Sequence, residues 1–374
     1  MVKICHITSV HRFDDIRIFR KECVSLANHG FDVTLIAFNA IEGIVNNVKI
    51  INAGPSFKNR MQRMQKGGAV IGKFAIEQDA HIYHFHDPEL IPLGKKLARL
   101  GKIVIYDIHE DVPRQILTKP YFSKFVGRLV SFFMERYENK AVRNFDALLC
   151  ATPHIQKRFE RIHCNVFNIN NYPLESEISQ NIPENVKKEN KVCYIGGITE
   201  IRGILQLIDA MAFCGGIKLD LAGDFPEGKF RQKAELSAGW AYVNILGVVD
   251  RKTALKIKSE SIAGIIPFLS AGNHINAQPN KIFEYMASAL PVIGSNFPLW
   301  QEIILNNECG LCVDSCSAAE IAKAICSIAS NPEMAVKMGE NGLKAVKEIY
   351  NWKTEESKLL EIYLSLTNNR NNVR

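Results

Sequence analysis

The chain has 374 residues, with 46 lysines and arginines against 39 aspartates and glutamates, for a formal net charge of +7. That length allows two domains with separate cores, and the composition is ordinary for a globular protein. No apolar run reaches the roughly 18 residues of a spanning helix, and the opening MVKICHITSV is too short and polar for a signal peptide. A cytoplasmic protein is therefore expected.

The first half alternates strand and helix. Strands are predicted over Lys3–Thr8, Asp32–Phe38, Val48–Asn52, Ala80–His84, Ile103–Asp107 and Ala147–Ala151. Helices are predicted over Ile16–His29, Leu90–Leu100 and about Phe122–Arg143. Apolar strands separated by helical patterns imply a parallel sheet covered on both faces. After Asn171-Tyr172-Pro173 the stretch Glu175–Glu189 is polar and aperiodic, and reads as a linker. The pattern then restarts, with strands at Val192–Ile195, Lys218–Leu221, Val243–Leu246, Ala263–Pro267, Pro291–Gly294 and Gly310–Val313. The tail from Pro332 is helical to about Leu366, with a break near Asn351. The spacing gives an α/β chain in two doubly wound domains, whose ligand sites belong at the carboxyl ends of the strands.

Ten cysteines do not contradict a reducing compartment. Cys5, Cys150 and Cys193 lie in apolar runs, where a free thiol behaves as a small hydrophobe. Cys309, Cys312 and Cys316 lack a second Cys or His pair at zinc spacing. His84-Phe85-His86-Asp87 follows a strand, and two His with an Asp suit a metal as well as a polar loop.

In the second half, Gly196-Gly197-Ile198-Thr199-Glu200-Ile201-Arg202-Gly203 joins a strand to a helix. Glycines let a phosphate approach backbone N–H groups, and a cation such as Arg202 completes an anion site. A tight turn is the plainer reading of the same glycines. Further on, Pro279-Asn280 reads as a helix start, with Ile282, Phe283, Met286 and Ala287 at helical spacing. Glu284 then sits in the first turns, where a carboxylate suits a sugar diol as well as bulk water.

The words NKIFEYMASALPVI and VCYIGGITEIRGI resemble the donor-binding half of retaining GT-B glycosyltransferases of family four. The resemblance runs from about Lys3 to Leu366. It implies two Rossmann-like domains facing a central cleft, at residues 1–174 and 191–350. A linker over 175–190 joins them, and a C-terminal helix in 351–374 crosses back onto the first domain. It further implies transfer of a sugar from a UDP- or GDP-sugar to a saccharide or polyprenyl-diphosphate-linked acceptor, in bacterial surface polysaccharide assembly. The nucleotide sugar is then a co-substrate, with no cofactor and no metal.

In that family two Glu residues eight apart bind the donor. Glu284 matches the one that holds the ribose, and the other falls on Asn276. The family's Arg after the first glycine falls on Gly197, while its Lys falls on Arg202. Gly196, Gly197, Asn276, Asn280, Lys281 and Glu284 become the donor-side set, with His109, Arg202 and Glu284 as the catalytic candidates. A His in the place of His109 contacts the donor sugar in the relatives. Asp15, Arg17, His86 and Asp87 fall on the acceptor or cleft side. Either Arg17 or Lys281 is a candidate for the cation missing at Gly197, and either also suits a solvated surface. A nucleotide-sugar 2-epimerase and a non-catalytic nucleotide-sugar-binding protein share the architecture and stay open as alternatives.

Two further stretches carry charge. Ser56–Lys73 holds Lys58, Arg60, Arg63, Lys66 and Lys73 and no acid, and Arg114–Arg143 interleaves cations with Tyr121, Phe122, Phe125, Phe132 and Phe133. Basic charge beside aromatics suits an anionic membrane surface, and thus a protein peripheral on the inner face of the cell membrane. A solvated basic face is the alternative. No nucleic-acid recognition motif is present.

Overall fold

The computed structural model describes residues 1–117, 122–179, 187–271 and 274–371, so Tyr121 lies outside the described residues. The chain divides into two compact units: Met1–Asn171 with Trp352–Arg374, and Tyr172–Asn351. Each carries its own sheet.

The first sheet has eight strands: β1 (Lys3–Ile7), β2 (Asp32–Ala37), β3 (Gly43–Val45), β4 (Val48–Asn52), β5 (Ile82–Phe85), β6 (Ile103–Ile108), β7 (Ala147–Cys150) and β8 (Val166–Asn168). Their order is β3-β4-β2-β1-β5-β6-β7-β8. Every pairing is parallel except β3 with β4. The strand order turns back between β1 and β5, and a doubly wound sheet binds its ligands at such a switch point. The interior strand β6 is buried along its whole length, which accounts for its mainly apolar run, broken by Asp107.

The second sheet has six parallel strands: β9 (Lys191–Ile195), β10 (Lys218–Ala222), β11 (Val243–Gly247), β12 (Ala263–Ile266), β13 (Val292–Ser295) and β14 (Gly310–Val313). The order β11-β10-β9-β12-β13-β14 places the switch between β9 and β12. Ile282, Phe283, Tyr285 and Met286 of the helix Asn280–Ala287 are buried in this unit's core.

Several elements depart from the expected reading. The polar stretch read as a linker begins with a helix, Glu175–Ser179, while residues 180–186 lie outside the described residues. The basic stretch is helical from Arg60 to Glu77 in three consecutive pieces. Glycines disguised it: a Cβ on Gly72 would sit 2.8 Å from the Leu93 side chain, so close packing outweighs helix propensity there. Strand β3 turns into β4 through Asn46 and Asn47, with φ of 49° and 62°. Two successive positive-φ asparagines are the chemistry of a two-residue hairpin. The final helix, Trp352–Asn371, packs in the first unit, where the Trp352 indole donates to Ser25 Oγ at 2.9 Å.

Candidate functional site

In the first unit the candidates gather at the carboxyl ends of β1, β5 and β6. The chain leaves β1 and enters a helix at Asp15, whose Oδ1 accepts from the N–H groups of Arg17 and Ile18 at 2.9 and 3.0 Å. The next eight residues wind as a π-helix, a wide turn that recurs at functional sites. That winding buries Arg17, Lys21 and Glu22 together.

Arg17 is therefore not available to a diphosphate, contrary to the expectation from sequence. It is 4% exposed and forks onto Asp107, Nε to Oδ2 at 3.0 Å and Nη2 to Oδ1 at 2.7 Å. Nη1 donates to the Ile169 carbonyl at 2.8 Å. His86 and Asp87 are also withdrawn from the surface, each at 2% exposure. His86 is bonded to Asp107 through Nδ1 and to His6 through Nε2. Asp87 Oδ2 accepts from Thr8 Oγ1 at 2.9 Å and from Ser9 N at 2.6 Å, which staples the β1 loop. All three support the site from beneath rather than touching an acceptor.

His109 is the outermost member of this chain of charges. Its Nε2 lies 2.6 Å from Asp107 Oδ2, and its side chain is 18% exposed. Burial alone would raise the Asp107 carboxyl, but Arg17, His109 and His86 together hold it well below the usual range. An ionised Asp107 accepts, so Nε2 of His109 donates. His11, not singled out from sequence, packs its ring 5.2 Å from that of His109. Burial lowers the His11 imidazole, but Asp15 and Asp87 outweigh it and raise it overall. The Asp15 carboxyl is brought to about 2: burial raises it, and bonds from His11 and the Ile18 N–H more than reverse that.

Among the described residues two groups could hold a metal ion, His6 with Glu22, His84 and His86, and His86 with Asp107 and His109. In the second group Arg17 already neutralises Asp107. In the first, a hydrogen-bonded chain runs from His86 to His6, on to the Tyr363 hydroxyl at 3.3 Å and from there to His84 at 2.7 Å. Burial lowers His6, His84 and His86 and raises Glu22, and so favours the uncharged form of each around the Arg17–Asp107 pair.

In the second unit the expected donor-side residues lie beside the β9/β12 switch. Gly196 has φ +143°, and a Cβ there would fall on the Lys281 side chain. A Cβ on Gly197 would lie 2.8 Å from Arg202 Nη1. The glycine pair is thus needed because two cations lie directly over it. Arg202 Nη1 donates to the Gly197 carbonyl at 3.0 Å, and the Tyr194 hydroxyl donates to the same oxygen at 2.9 Å. Gly203, at φ +67°, brings the loop back against the Pro267 carbonyl, where any Cβ would collide. Burial and the Arg202 charge lower the Lys281 ammonium, with partial relief from Glu284. Two like charges held this close favour an anion between them.

Glu284 itself is exposed, on a helix whose neighbouring residues Phe283 and Tyr285 are buried. Asn280 opens that helix, and Asn276 ends a short 3-10 turn before it; both are exposed. Lys258 was missed in the sequence. It is 7% exposed, and its ammonium is lowered by burial with Glu284 opposing. One lysine among several on the helix Arg251–Glu260 offers no sequence signal.

Comparison with known proteins follows the same division. Residues 19–167 match the family Glycosyltransferase Family 4, and residues 175–345 match Glycosyl transferases group 1. An uncharacterised glycosyltransferase of Methanocaldococcus jannaschii is 23% identical over 200 residues, half of this chain and 48% of the relative. The chain thus spans about half the length of that curated relative. Sucrose-phosphate synthase from Thermosynechococcus elongatus superposes with a TM-score of 0.75 at 19% identity, over 98% of this chain and 99% of its own. The Anabaena protein HepE, solved with UDP and glucose, gives 0.72 at 14% identity, over 98% and 100%. These likenesses show the fold.

Proposed function

We propose, from the matches of residues 19–167 to Glycosyltransferase Family 4 and of residues 175–345 to Glycosyl transferases group 1, that the chain is a GT-B glycosyltransferase that moves a sugar from a nucleoside-diphosphate donor to a saccharide or lipid-linked saccharide acceptor. Transfer retains the anomeric configuration, and the pathway is surface-polysaccharide assembly. The observation that carries this reading is the pair Lys281 and Arg202 over Gly196-Gly197, with Glu284 one helical turn beyond Lys281. The cations and the first amides of the helix Asn280–Ala287 take the diphosphate, without a metal. Glu284 takes the ribose and Asn276 the hexose. The protein's part in the chemistry is positional and electrostatic.

The test is nucleotide release across a panel of UDP- and GDP-sugars, with and without saccharide acceptors. Acceptor-stimulated release with one donor supports transfer. Isomerised donor without release identifies an epimerase, and binding alone identifies a sensor. Asn keeps an acceptor oxygen but loses the carboxylate charge, so Asn276→Glu is expected to reorder the donor ranking. An unchanged ranking would remove Asn276 from the sugar site.

Negative charge builds on the diphosphate as it leaves, so Arg202 stabilises the transition state more than the ground state. Arg202→Ala is expected to lower kcat by about tenfold, the worth of one charge-assisted hydrogen bond. A variant altered only in thermal stability would make Arg202 a loop anchor.

A further inference from the structure

The 19-residue helix Lys124–Val142 in the first unit is amphipathic the wrong way round. Its buried side is made of Gly127, Ser131, Glu138, Ala141 and Val142. Its exposed side carries Phe125 at 76%, Leu129 at 49%, Phe132 at 53% and Phe133 at 60% exposure. Steps of three and four residues put these side chains on one face. An ordinary surface helix buries its large apolar residues and shows its small and polar ones, so among the described residues this face lacks a partner.

The charges on the same helix decide what the partner is. Both acids turn toward the protein: Glu138 pairs with Arg158 at 2.6 Å, and Glu135 pairs with Arg114 and Arg158. The cations Lys124, Arg128, Arg136 and Lys140 are all exposed. Among the described residues none of the four has an ion-pair partner, and Arg136 stacks over the Phe132 ring at 5.6 Å. The helix thus presents aromatic rings and uncompensated positive charge together, with its negative charge neutralised inward.

We propose that this face is a docking surface for an anionic lipid bilayer, with Phe125, Leu129, Phe132 and Phe133 entering the headgroup region and the four cations meeting lipid phosphates. A protein partner would not require every cation to be left open, whereas a bilayer offers apolar depth and a uniform negative charge at once. The surface gives the proposed lipid-linked acceptor reading a place to operate, but its own test needs neither donor nor acceptor.

The test is co-sedimentation of the full chain with phosphatidylcholine vesicles, with and without phosphatidylglycerol. Binding is expected only to the anionic vesicles and should weaken as salt rises. Removing cations through R128Q, R136Q and K140Q should weaken it about fivefold per charge. F125S, F132S and F133S should each cost about tenfold, from lost apolar insertion, with an unchanged melting temperature because the rings are exposed. Solution nucleotide release should be the same in all of these variants, so failure here and failure of the transfer reading are separable. Equal binding to neutral vesicles, no binding, or serine variants that bind as wild type would each overturn the proposal. A dimer that the serine variants dissociate, without vesicle binding, would reassign the face to a second copy of the chain.

Discussion

Glu284→Ala is expected to lower kcat/KM for the nucleotide sugar by about two orders of magnitude or more, the worth of two hydrogen bonds to a charged acceptor at roughly 1.5–3 kcal/mol each. The helix places Glu284 three residues after Lys281, one turn along, on its exposed side. A carboxylate so near a diphosphate would be repelled by it unless aimed at another part of the donor. The ribose diol offers the two O–H donors that match its two oxygens. Glu284→Gln keeps the shape and one acceptor, so its loss should be smaller. Both variants should stay folded, because Ile282, Phe283, Tyr285 and Met286 supply that helix's buried contacts. The deciding comparison is a ribose donor against its 2′,3′-dideoxy analogue. Wild type should prefer the ribose strongly and Glu284→Ala should nearly lose that preference. A mutant that discriminates as well as wild type would remove Glu284 from the ribose site.

The candidate residues of the two units differ in how far they can be read from sequence. In the second unit the residues are local. Arg202 is five residues from Gly197, Lys281 three from Glu284, and each pair belongs to one strand-to-helix passage of known chemistry. Only Lys258, brought in from another helix, escaped. In the first unit the decisive contact joins Arg17 to Asp107, 90 positions apart. A π-helical turn decides which way Arg17 points, and nothing in the local spacing of HRFDDIRIFRKE encodes that winding. The expected surface cation is a buried one for this reason. The same limit applies to the fold. Strands buried on both faces, such as β7, are continuous apolar words, whereas β3 is exposed along its length and is marked only by Asn46-Asn47.

Asp107→Asn is expected to destabilise the first unit by about 3–5 kcal/mol, because removing one partner of a buried pair leaves the other charge uncompensated. Arg17 keeps a backbone carbonyl and Glu22 at 3.2 Å, but burial, the largest influence on Glu22, raises its carboxyl and so opposes its ionising to take the place of Asp107. For a unit of this size the loss corresponds to roughly 10 °C or more in melting temperature. The two carboxyls also predict opposite pH signatures. The folded state holds Asp107 below its unfolded value, so its contribution is present above about pH 4 and is lost only as pH falls through the lower folded value. Glu22 is raised, so the folded state holds a proton the unfolded chain has released. Its contribution is complete below about pH 4 and is lost as pH rises toward the folded value. Glu22→Gln removes that dependence while keeping the shape, and should therefore gain on wild type as pH is raised from 5 to 8. Thermal melts of the three proteins across that range read both effects. An Asp107→Asn deficit under about 1 kcal/mol would place the pair in the class of exposed ion pairs, and the buried charge chain beneath His109 would lose its anchor.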